Sequence, residues 1–231
     1  MKEKRKYFKI PQNWIDEQLC LQAGILQKPV DTSKIRYIAG VDVSYEKSDE
    51  KEYGYCSIVI INYETLECVE KVEYIQEVDI PYIPGYFTFR ELPLVREATK
   101  KITIEPDIYM FDGNGIWHPL KMGLATHASF YLKKPCIGVA KKFFHFDGIS
   151  ELIVPKNTFG DYTKIYNGKK ELIGIALRSK LDTKPIFVSV GNYMTLDNAR
   201  EIVMHCLNDE SHIPVPTRLA DIESGKMRRE N

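Results

Sequence analysis

The sequence predicts an α/β protein in which a mixed β-sheet is flanked by helices. Three observations predict it. The first half carries a meander of strand-patterned segments, and strands and helices then alternate. In addition, residues 107–142 hold two apolar runs separated by a glycine-rich turn and an amphipathic helix.

Each element follows from local pattern. Residues 14–26 show helical apolar spacing. Residues 37–45 and 53–61, rich in Ile, Val and Tyr, read as strands, and 68–75 as a third strand, antiparallel to the second after a turn near 63–66. PYIPGYF (81–87) is turn-like, with two prolines and a glycine within five positions. A helix is expected over 89–102, then a strand over 107–112, a glycine turn, a helix, and a strand that ends in Lys141 and Lys142. Residues 172–177 and 185–190 read as a further strand pair, and 195–206 as a helix N-capped by Thr195. This order fits a ribonuclease H-like layout.

The 231 residues suit a single domain with a sizeable core. The first 30 residues are expected to pack on it as a helical segment, and 222–231 to form a flexible tail. Apolar content of 44% and charged content of 28% are ordinary for a soluble protein. No apolar run is long enough to span a bilayer, and MKEKRKYFKIPQNW lacks the apolar core of a signal peptide, so a cytoplasmic location is expected. The five scattered cysteines, with no CxxC pair, argue against a disulfide framework and a structural zinc site. Thirty-two basic residues cancel thirty-two acidic ones, which is mild evidence against a nucleic-acid binder. A metal-dependent nuclease, however, needs an acidic centre. A basic rim around it would draw on Lys121, Lys141, Lys142, Arg178, Lys180, Lys226, Arg228 and Arg229.

Three acids stand out. Strand alternation places Asp42 on one face with Ile38, Gly40 and Ser44, and Ala39, Val41 and Val43 on the other. Asp42 is either on a wet sheet face, paired with a buried base, or functional; the residues alone leave these open. Asp112 ends an apolar strand just before Gly113 and Gly115, at the strand terminus where α/β sheets bind ligands. A turn-capping role is its structural alternative. Glu91 completes a Thr88-x-x-Glu91 capping box, which alone would explain it; Pro93 fits a helix start only within the first turn, which would put the start a residue or two later. Three such carboxylates together would suit one or two hard cations, magnesium or manganese, since no His/Cys cluster accompanies them.

The blocks GVDVSY (40–45), PYIPGYFTFRE (81–91), DGNGIWHP (112–119), IGVAKK (137–142), ALRS (176–179) and IPVPTRLAD (213–221) occur in order and together resemble the endonuclease V family. The resemblance implies a ribonuclease H-like nuclease that recognises deaminated bases, chiefly hypoxanthine (inosine). It implies a magnesium-dependent nick at the second phosphodiester bond 3′ to the lesion, leaving 3′-hydroxyl and 5′-phosphate ends. By motif match, Asp42 and Asp112 are the direct metal ligands, Glu91 completes the cluster through water, and Lys141 contacts the scissile phosphate or attacking water. Tyr82, Ile83 and Pro84 form a wedge where the damaged base leaves the duplex, and Gly85, His118 and Gly123 fall at the pocket for the flipped base. The implied partner is DNA containing deaminated bases, acted on by a monomer, with no membrane involved. Inosine-containing RNA as the main substrate, and a non-cleaving lesion-binding protein, are the alternatives.

Two positions depart from the family's frequent residues. Asn192 follows Gly191 where a histidine is common, and Asp221 follows TRLA where many members carry a histidine at the metal site. An aspartate at 221 can still ligate a metal or orient a water. His127 receives no role.

Overall fold

The computed structural model describes residues 9–48 and 51–230. Among the described residues, eight strands form one sheet: β1 (Tyr37–Ser48), β2 (Lys51–Asn62), β3 (Cys68–Glu77), β4 (Ile108–Asp112), β5 (Cys136–Ala140), β6 (Tyr162–Tyr166), β7 (Leu172–Leu177) and β8 (Ile186–Val190). Their spatial order is β3-β2-β1-β4-β5-β8-β7-β6. The contacts β1–β4 and β4–β5 are parallel and the others antiparallel, giving the mixed ribonuclease H-like sheet.

Helices α1 (Gln12–Gln22), α2 (Phe87–Thr99), α3 (Leu124–Leu132), α4 (Leu196–His205) and α5 (Val215–Glu230) complete the fold. The two sheet faces bury separate cores. Ala39, Val41, Ile58, Ile60 and Phe111 pack with Leu94, Val95 and Ala98 of α2 and Ala125 and Ala128 of α3. Ile38, Val59, Met110 and Val139 pack instead with Ala199, Ile202 and Val203 of α4 and Val215 and Ala220 of α5. Thr195 caps α4 by accepting from the Asn198 amide, as its sequence position predicts. Among the described residues, no helix is long and apolar enough to cross a membrane.

Two expectations need correction. Residues 222–230 are not a flexible tail; they continue α5, which buries Ala220, Ser224 and Met227. Spacings of four and three residues put these on one helical face, against β1 and β2. The capping box at Thr88 is also absent. Helix α2 begins at Phe87, Tyr86 occupies the cap without a side-chain bond, and Pro93 lies in the helix interior. A proline there costs a backbone hydrogen bond. Burial of Leu94, Val95 and Ala98 against the sheet holds the helix together across it.

Candidate active site

β1 and β4 are parallel neighbours in register Gly40↔Met110, so alternation points Asp42 and Asp112 to the same face. That face is covered by α5, and Gly40 lets it come close. A Cβ on Gly40 would stand 2.0 Å from the Pro216 carbonyl oxygen, so only glycine permits this contact. The close approach carries Asp221 and Ser224, further along α5, up to the strand-end acids. Asp42, Asp112 and Asp221 each place one carboxylate oxygen within 4.8 Å of the others.

Lys141, just beyond β5, closes the cluster. Its Nζ lies 2.6 Å from Asp112 Oδ2 and 3.2 Å from Asp221 Oδ2. Ser224 donates its hydroxyl to Asp42 Oδ2, and its own carbonyl accepts from Ser44 Oγ at 2.8 Å. The electrostatics follow from crowding like charges in a half-buried site. Burial pushes the Asp42 carboxyl up to about 6; the Ser224 hydrogen bond opposes this, and Asp112 and Asp221 add repulsion. Burial likewise raises Asp112, although Lys141 pulls it back. For Lys141 burial works against the charge, but Asp112 and Asp221 outweigh it and hold the ammonium above its usual pKa.

Glu91 approaches from the opposite side of the sheet. It is 3% exposed, turned inward from α2, and lies 3.4 Å from the Tyr45 hydroxyl. Burial, then Asp42 and Asp112, raises its carboxyl well above the usual range, so it belongs to the same electrostatic cluster. It is not among the three acids whose oxygens converge. An all-oxygen donor set whose members repel one another suits a hard divalent cation, which would relieve that repulsion.

A cleft of about 570 Å³ opens beside the acids, lined by Asp42, Glu91, Asp112 and Lys141 at one end and Tyr82, Gly85, His118 and Gly123 at the other. Tyr82 is 64% exposed and rests edge-on against Phe87, with ring centroids 5.2 Å apart. Its loop closes with the Tyr86 amide donating to the Ile83 carbonyl, with Pro84 and Gly85 (φ +83°) between them. That pairing is what a type II turn requires.

His118 holds this turn from below. Its Nδ1 accepts from the amides of Leu120 (3.1 Å) and Met122 (3.3 Å), which leaves Nε2 to donate to the Gly85 carbonyl at 2.9 Å. The imidazole is therefore neutral, and burial lowers its pKa to about 4. The same Gly85 carbonyl accepts from Gln18 Nε2 of α1 at 3.2 Å. Gln18 is fully buried, and Gln22 reaches the Leu120 carbonyl at 2.8 Å. At Gly123 an added Cβ would meet the Asn114 and Gly115 carbonyls at 2.5 Å, so that turn too depends on a bare Cα.

The expected basic rim is only partly present. Lys121 pairs with Glu171 at 2.9 Å, Lys180 donates to the Asp209 carbonyl at 2.6 Å, and the Arg178 guanidinium binds the Pro155, Lys156 and Thr183 carbonyls. Arg228 and Arg229 line a separate hollow with Tyr45 and Tyr55. Lys141 and Lys142 do face the cleft. Asn192 lies away from the acids; its Oδ1 accepts from the Leu26 and Tyr193 amides. Ser224 and Gln18 join the site without being singled out by any sequence motif. The signal for Ser224 was its spacing, three residues after Asp221 on a helix; for Gln18 there was none.

The chain is similar to known proteins over most of its length. A profile of the family described as Endonuclease V matches residues 20–222. Endonuclease V of Bacillus thuringiensis subsp. konkukian is 52% identical over 204 residues, covering 88% of this chain and 86% of that one. The crystal structure of the Bacillus subtilis Endonuclease_V superposes with a TM-score of 0.91 at 41% identity, covering 98% and 95% of the two chains. A Ciona intestinalis Endonuclease V, solved with a 24mer DNA containing an inosine followed by a ribo-adenosine, superposes with a TM-score of 0.84 at 26% identity, covering 95% and 98%.

Proposed function

Because the chain belongs to the endonuclease V family, we propose that this nuclease recognises deaminated bases, chiefly inosine, and starts their repair by a magnesium-dependent nick. The nick falls at the second phosphodiester bond 3′ to the lesion and leaves 3′-hydroxyl and 5′-phosphate ends. The observation that carries this reading is the convergence of Asp42, Asp112 and Asp221 with Lys141 at one end of a cleft whose other end is the Tyr82 turn.

Asp42, Asp112 and Asp221 would hold the cation, with Glu91 steadying the cluster from behind. A bound magnesium supplies Lewis acidity, lowering the pKa of a water and neutralising charge that builds on the phosphate oxygens. Manganese, also a hard oxygen-seeking cation, substitutes for it. Ser224 fixes the rotamer of Asp42, so the carboxylate is held ready in position. Lys141, which bridges Asp112 and Asp221, would contact the scissile phosphate with one ammonium proton while the others keep its acids aligned.

Tyr82, Ile83 and Pro84 act as the wedge. An exposed aromatic at the tip of a rigid turn offsets part of the unstacking cost, a few kcal/mol, when a base leaves the helix. Gly85, His118 and Gly123 shape the receiving pocket, where backbone groups can read the hypoxanthine carbonyl that adenine lacks. The imidazole itself, committed to Gly85, Leu120 and Met122, supports the pocket wall.

The test is product mapping on end-labelled DNA and RNA strands, each with one inosine, in magnesium. Expected is a single nick one nucleotide beyond the lesion's 3′ neighbour bond, lost in Asp42→Asn and Asp112→Asn. Cutting that survives in both variants overturns the assignment. Binding without any nick, in magnesium and in manganese, would mark a lesion-binding protein instead. Competition between the two strands decides whether the 2′-hydroxyl is read.

A further inference from the structure

A second groove, of about 580 Å³, starts where the first cleft ends. The two share Lys141, Lys142 and Phe143, and the groove continues past Leu152, Val154, Arg178, Thr183, Lys184 and Pro185 to Phe187. Four of its lining residues are basic and none is acidic, in a chain whose basic and acidic residues are equal in number. Lys142 and Lys184 are exposed, and neither has an acidic partner among the described residues. The walls are fixed: Arg178 ties the carbonyls of Pro155 and Lys156 on one side to that of Thr183 on the other. Val154, 58% exposed, and the half-buried Leu152 and Pro185 supply apolar surface between the cations.

We propose that this groove binds the substrate strand on the 3′ side of the scissile bond. The inference rests on the cleavage reading given above. If the lesion enters the cleft beside Tyr82 and the cut falls at the acids, the strand beyond the cut leaves past Lys141, where the groove begins. Unpaired lysines at its mouth and its far rim suit successive phosphates, and the apolar stretch between them suits a sugar or base face. The groove explains how a chain of zero net charge holds a polyanion: the positive charge is local and continuous with the site.

The test varies the substrate and the groove together. Inosine strands with one, three and eight nucleotides 3′ to the cut are compared on the wild-type protein, on Lys184→Glu and on Val154→Glu, with melting temperatures recorded as a folding control. Expected for the wild type is a KM that falls at least fivefold as the flank lengthens from one to eight nucleotides. Lys184→Glu and Val154→Glu should abolish that gain, and Lys184→Glu should make the long-flank KM less steeply dependent on salt. A wild-type KM indifferent to flank length overturns the proposal, as does a rise in KM that is equal for short and long flanks. Absence of any nick by the wild type would instead fail the cleavage reading itself.

Discussion

The α-carbon of Gly40 lies against the Pro216 carbonyl so closely that a single added methyl would sit 2.0 Å from its oxygen. The contact sets how near α5 lies to β1, and so where Asp221 and Ser224 meet Asp42. Gly40→Ala must therefore push the helix away. A loss of about 1–3 kcal/mol of stability is expected from overpacking, measured by urea unfolding. Nicking should fall more steeply than the folded fraction, because the acids separate. An alanine variant with full activity would show that α5 does not set the cluster's geometry.

Within the acid cluster, Asp42 by itself works against stability at neutral pH when no cation is bound. Asp42 has a pKa of about 6 in the folded chain against 3.8 unfolded. The folded state thus binds more protons between those values, and this contribution to stability falls as pH rises from about 4 to 6. The penalty at pH 7 is on the order of 2–3 kcal/mol for this group. Asp42→Asn should accordingly raise the melting temperature at pH 7.5 while abolishing nicking. Millimolar magnesium should raise the wild-type melting temperature at pH 7.5, should do so less at pH 5, and should leave Asp42→Asn nearly unmoved. Calorimetry across this grid checks the prediction.

His118 has the opposite dependence. Its folded pKa of about 4 lies below the 6.5 of the free side chain, so its contribution is complete above about 6.5 and is lost as pH falls toward 4. Replacing it with alanine leaves the Leu120 and Met122 amides and the Gly85 carbonyl each short of a partner, a cost of about 1–3 kcal/mol. His118→Ala should also blunt the preference for inosine over adenosine at least tenfold, read from kcat/KM on the two strands. Unchanged discrimination would detach the imidazole from pocket shape.

Asp221 gives this chain an all-carboxylate triad. Asp221→His exchanges a hard oxygen donor for a softer nitrogen, which magnesium accepts less readily than manganese. The ratio of manganese-supported to magnesium-supported nicking should rise at least threefold. A constant ratio, measured at saturating metal, would place residue 221 outside the coordination sphere.

Much of the site is legible in the sequence because strand alternation is local. The face carrying Ile38, Gly40, Asp42 and Ser44 follows from a period of two, and the structure has Ser44 and Asp42 together against α5. What converges with Asp42 is set by non-local pairing: the register of β1 with β4 is invisible in either strand alone. The end of α5 was obscured by composition. Its buried face is made by Ala220, Ser224 and Met227, small or unbranched residues amid charge, so ESGKMRRE reads as a polar tail. At Glu91 a local motif misled, because the turn at Ile83–Tyr86 starts the helix one residue before the motif's serine-like cap. The edge strand β6 is illegible in the sequence because only Ile165 of its five residues is buried.

Gln18 and His118 converge on one acceptor, the carbonyl of Gly85, from segments a hundred residues apart. The turn proposed as the wedge is thereby clamped from two directions, and neither clamp hydrogen-bonds to Asp42, Asp112, Asp221 or Lys141. A protein trimmed of α1 would, on the proposed reading, keep its acid cluster and hold the Tyr82 turn through His118 alone.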